Sequence, residues 1–128
     1  MLEMKRSSLA LLALCLISLL WFLDHIAIVL YLYWTTTWYD IPVHFIAGMA
    51  LGVFVIWFFG LKKSRGSFFV VVFLIMVVGI SWEIFERLIG QTFALEGYFL
   101  DTSMDLLMDG AGAMAAYLLT IGRSQESS

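Results

Sequence analysis

Four long apolar stretches, approximately residues 8–33, 40–61, 67–90 and 101–121, occupy most of the chain, with only short polar turns between them. Each is long enough to cross a bilayer, which takes about 20 apolar residues in helical form. Hydrocarbon offers no partner to a free backbone N–H or C=O, so a span of this kind is confined to helix. The expected fold is therefore an all-α integral membrane four-helix bundle, a single transmembrane domain over residues 1–128. Composition agrees: 62% of residues are hydrophobic and 13% charged, with a mean hydropathy of +0.97. Soluble globular domains carry about 25% charged residues.

The first stretch superficially suits a signal peptide, since MLEMKRSS precedes the apolar run Leu9 to Leu23. No small-residue cleavage site follows, however, and after Asp24 and His25 the run resumes from Ile26 to Trp34. It is read as a retained span. Tyr31, Tyr33, Trp34, Trp38 and Tyr39 then mark an interface, where amphipathic rings prefer to sit. Cys15 is the only cysteine, which rules out a disulfide within the chain.

Charge sorts the two ends of the bundle. Lys5, Arg6, Lys62, Lys63, Arg65 and Arg123 fall on one side of the four-span map, leaving only Arg87 on the other. By the positive-inside tendency both termini are expected in the cytoplasm. Asp24, Asp40, Glu83, Glu86, Glu96, Asp101, Asp105 and Asp109 all fall in the opposite, outer half.

Asp101, Asp105 and Asp109 recur every four residues, which places them on one face of the last span. Ionisable groups inside a span are costly and usually functional. Counted inward from the outer helix ends at about 1.5 Å per residue, His44, Glu86 and Asp105 lie at one level, with Glu83 and Asp109 a turn deeper. Asp40 and Asp101 stand at the mouth, where either N-capping or chemistry accounts for them. Two stripes, Asp40-His44-Gly48-Gly52 and Gly79-Glu83-Arg87, put small residues and polar groups on shared faces. Small residues let helices approach closely in lipid, so a polar pocket above a tight, dry zone is expected.

Several carboxylates cannot all ionise together in a low-dielectric pocket without cations. Protons, Arg87 or a bound metal must compensate. One histidine among carboxylates suits a hard or borderline divalent ion. The expected ligands are His44, Glu83, Glu86, Asp105 and Asp109, with Asp40 or Asp101 as general base and Arg87 as phosphate holder.

The segments Tyr39-Asp40-x-x-x-His44-Phe45, Glu83 to Glu86, and Asp101-x-x-x-Asp105-x-x-x-Asp109-Gly-x-Gly together resemble the VanZ-like group of small bacterial membrane proteins, including its YjdF-like relatives. The resemblance covers roughly residues 39–119. It implies a polytopic inner-membrane protein, in a group some of whose members are linked to glycopeptide-antibiotic resistance and cell-envelope lipids.

Three functions follow as expectations. The first is an outer-leaflet, metal-dependent enzyme acting on a lipid-linked phosphate or another polar lipid head group. The second is a proton- or cation-coupled transporter or lipid-translocating component, for which four helices would need a homo-oligomer. The third is an accessory subunit of a membrane complex. Membrane lipids are the expected partners, and nucleic acid is not.

Overall fold

A computed structural model describes residues 4–89 and 98–122 of the chain. Glu96 and Arg123 lie outside them. Among the described residues every regular element is helical: α1 (Arg6–Val29), the short α2 (Leu32–Thr35), α3 (Asp40–Phe59), α4 (Arg65–Leu88) and α5 (Tyr98–Tyr117), continued by a π-helical turn (Leu118–Gly122). Four segments are long and apolar enough to cross a membrane: Arg6–Val29, Asp40–Phe59, Arg65–Leu88 and Phe99–Ile121.

The first span ends earlier than the apolar run suggests. Leu30 closes α1, and Tyr31 adopts a left-handed backbone with φ 57° before α2 begins. A residue with a Cβ pays about 1 to 2 kcal/mol there, so its surroundings must hold the elbow in place. Tyr33 Oη donates to Asp24 Oδ1 at 2.8 Å, and Tyr39 Oη donates to the Leu23 carbonyl at 3.0 Å. Asp24 thus has a structural partner across the elbow, while His25 stacks on Trp21 with ring centroids 5.3 Å apart.

The helix ends follow local chemistry. Gly60 supplies the left-handed residue that closes α3 (φ 60°, ψ 40°), and Leu61 N–H returns to the Ile56 carbonyl at 3.0 Å, the Schellman pattern. Ser64 caps α4 by accepting from Ser67 N–H at 3.0 Å. Tyr117 Oη donates to the Ser64 carbonyl at 3.0 Å, which ties the end of α5 to the start of α4.

Helices α3 and α5 form the central pair; α1 packs on α3, and α4 packs mainly on α5. What permits the central pair is glycine. A Cβ on Gly48 would lie 2.8 Å from Asp109 Cα and overlap the Asp109 carbonyl, and a Cβ on Gly112 would lie 2.6 Å from Met49 N. Below this crossing the core is mainly apolar, with Val53, Ile56, Val71, Ile75, Ala113 and Ala116 at 0 to 1% exposure; the buried Ser67 and Thr120 lie toward the basic end. Above it the core is polar. That division matches the expected pocket over a dry zone.

Candidate functional site

The polar half of the core gathers side chains from three helices. His44 comes from the second turn of α3, Glu83 from near the end of α4, and Asp105 and Asp109 from successive turns of α5; their exposures are 7%, 5%, 3% and 5%. His44 is the hub. Its Nδ1 lies 3.1 Å from Asp109 Oδ1, and its Nε2 lies 3.5 Å from Asp40 Oδ1 and 3.7 Å from Asp105 Oδ2.

Asp40 is the first residue of α3, whose N-cap position is Tyr39 without a side-chain cap bond. Its carboxylate faces His44 one turn on, instead of capping the helix. Asp101 likewise sits inside the first turn of α5, because that helix begins at Tyr98. Of the two meanings open to these mouth residues, capping does not describe their positions.

Asp40, His44 and Asp105 each offer a ligand atom, all within 4.8 Å of one another. The Nε2 distances are longer than ordinary hydrogen bonds of about 2.7 to 3.2 Å. They lie within ion-pair range, and the three candidate ligand atoms span up to 4.8 Å, so an ion would have to draw them closer to bind all three. Asp109 faces the other ring nitrogen at 3.1 Å. A proton on Nδ1 shared with Asp109 would leave Nε2 as the lone-pair nitrogen, the pattern by which carboxylates orient metal-binding histidines.

The remaining candidates separate by position. Glu83 Oε2 accepts from the Thr102 hydroxyl at 3.0 Å, while its buried Oε1 has no hydrogen-bond partner among the described residues. Gly79, one turn earlier on α4, makes room for Asp109: a Cβ there would stand 2.7 Å from Asp109 Oδ2. Glu83 therefore adjoins the cluster. Glu86, at the expected level, instead accepts from the Trp82 indole N–H of its own helix at 2.8 Å. Arg87 is exposed in the last turn of α4.

A cleft of about 240 Å³ opens onto the cluster, with Asp40, Asp101 and Asp105 on its wall and Thr37, Ile41 and Met104 among its other lining residues. Among the described residues no lysine or arginine lines it. Its wall is thus acidic and partly apolar, suited to a cation or to a ligand that arrives with one.

His44 and Asp105, expected at one level, lie 3.7 Å apart, and the imidazole also reaches from Asp40 on one side to Asp109 on the other. Thr102 was missed; its position one residue beyond Asp101 gives a threonine no distinctive signal.

No curated protein and no solved structure matches the chain. A family model matches residues 1–126, in agreement with the multi-pass helical architecture: the chain belongs to the family described as predicted membrane protein (DUF2238).

Proposed function

We propose that Asp40, His44 and Asp105 hold a divalent metal ion, and that the protein is an outer-leaflet enzyme acting on a lipid-linked phosphate or another polar lipid head group. The observation that carries this reading is the convergence of three ligand atoms within 4.8 Å beside an open cleft. Three protein ligands with an open position is the arrangement of catalytic metal sites, and closed sites use four. When bound, such an ion polarises a phosphoryl oxygen and activates water.

The chain's own residues divide the remaining tasks. Asp109 fixes the ring of His44, and Glu83, held by Thr102, adds negative charge beside the cluster. Asp101, exposed at the cleft wall, is the proposed general base. Because no cationic side chain lines the cleft among the described residues, a phosphate would depend on the ion for its binding, while Arg87 lies outside the cleft wall. The transporter alternative fits less well, since the Gly48–Asp109 crossing is tight and, among the described residues, Ser67 and Thr120 are the only polar side chains buried below it, too few to line a polar route through a single copy.

Kinship with VanZ-like proteins, proposed from the same motifs, would put the substrate among cell-envelope lipids of a bacterial inner membrane. Elemental analysis of detergent-purified protein tests the metal. Stoichiometric divalent metal, lost to a chelator and regained on dialysis, is expected; protein that stays metal-free after incubation with each candidate ion would sink the proposal.

The proposed orientation has both termini in the cytoplasm and the acidic cluster outside. Among the described residues, Lys5, Arg6, Lys62, Lys63 and Arg65 all belong to the opposite end from His44. An alkaline-phosphatase reporter should be inactive when fused after Ser128 and active when inserted next to Glu96. The reverse pattern inverts the topology and removes the outer leaflet from the proposal.

A further inference from the structure

The basic end of the bundle holds a second cavity, of about 200 Å³, where the start of α1 meets the ends of α3 and α5. Its apolar lining comes from Leu9, Ile56 and Ile121, which are 8%, 0% and 4% exposed. Its cationic lining comes from Arg6 and Lys62, both exposed, with the Arg6 guanidinium 5.9 Å from the centroid of the Trp57 ring. Among the described residues no acidic side chain lines it. The Schellman turn at Gly60 and Leu61 fixes where Lys62 leaves α3, and Arg6 is the first residue of α1. One cation from the start of α1 and one from the turn after α3 are therefore brought to one apolar hollow by the fold itself.

We propose that this hollow binds the phosphodiester head group of an anionic glycerophospholipid from the leaflet at the basic end of the bundle. Arg6 offers a planar fork suited to phosphate oxygens, and Lys62 a point charge. The apolar lining receives the first carbons of the glycerol and acyl chains, which a free phosphate ion lacks. Basic pockets between transmembrane helices are the usual form of such head-group sites. This inference is independent of the acidic site and stands whether or not that site holds a metal.

Native mass spectrometry of the full chain, titrated with phosphatidylglycerol or phosphatidylcholine, tests it. Retention of phosphatidylglycerol over phosphatidylcholine is expected. Arg6→Gln combined with Lys62→Gln should weaken phosphatidylglycerol binding about 30-fold, from about fivefold per cation near the membrane surface. Lys63→Gln, which removes a neighbouring charge that does not line the cavity, should leave it nearly unchanged. Monodisperse elution of each variant checks folding; if the double variant fails, each single variant should show a partial loss. Equal retention of both lipids, an equal loss in Lys63→Gln, or displacement by millimolar inorganic phosphate would each overturn the proposal, the last by making the ligand a soluble anion.

Discussion

Replacing His44 by alanine is expected to lower divalent-metal affinity by more than 100-fold and to abolish activity while leaving the helical bundle folded. The imidazole is the only neutral nitrogen ligand in the cluster, and both of its nitrogens face carboxylates, Asp109 at 3.1 Å on one side and Asp40 and Asp105 at 3.5 and 3.7 Å on the other. Asp109→Asn keeps an acceptor near Nδ1 but removes its charge, so a smaller loss of about 10- to 100-fold is expected, the range typical of groups that orient a metal ligand. Combining His44→Ala with Asp105→Ala distinguishes a shared site from two packing defects. Residues serving one ion couple by about 0.5 to 3 kcal/mol, whereas independent positions add. Additive losses, or unchanged metal content in His44→Ala, would remove His44 from the site.

The largest effect on stability is expected at Gly48. A methyl group there overlaps the Asp109 carbonyl, and backbone cannot swing aside as a side-chain tip can. Overpacking of this kind costs about 1 to 3 kcal/mol, occasionally more, so Gly48→Ala should lower the melting temperature clearly and Gly48→Leu should prevent folding. Gly112→Ala should behave similarly, because its Cβ would meet the Phe45 carbonyl and Met49 N. Gly66→Ala provides the contrast, since a Cβ there meets only Ser64 Oγ at 3.7 Å. Fluorescence-detected thermal unfolding in detergent ranks the variants. Similar melting temperatures for Gly48→Ala and Gly66→Ala would refute the close α3–α5 crossing. Gly48→Ala should also weaken metal binding in whatever fraction folds, because the displaced backbone is that of Asp109.

The spans and the segregation of charge were legible because hydropathy and the Lys/Arg distribution are summed over many residues and tolerate local exceptions. Depth along a helix was legible too, as a fixed rise per residue: His44 and Asp105 were expected at one level and are 3.7 Å apart. Rotation about a helix axis was legible where small residues marked a face: the stripe Asp40-His44-Gly48-Gly52 packs on α5, with Gly48 against Asp109 and Gly52 against Ala113 and Ala116. On α4 it was not, because its apolar residues lie all round the helix, and nothing in the sequence turned Glu86 toward Trp82. The early end of α1 had no signal either, since its left-handed residue is Tyr31, where glycine or asparagine would have announced the turn.

The aromatic elbow after α1 has a mechanical consequence. Tyr33 and Tyr39 fasten it to Asp24 and to the Leu23 carbonyl, so the height at which α3 begins is set relative to α1 by hydrogen bonds within the chain. Trp38 and Tyr31 are exposed on the same segment and anchor it at the membrane interface. The opposite end carries Lys62, Lys63 and Arg65, all exposed, whose long stems can lie in the hydrocarbon while their charges stay in water. A bilayer that thickens or thins is therefore expected to be accommodated at the basic end, by snorkelling. His44 would then hold a constant depth relative to the aromatic end, like a float whose waterline is fixed at one end only.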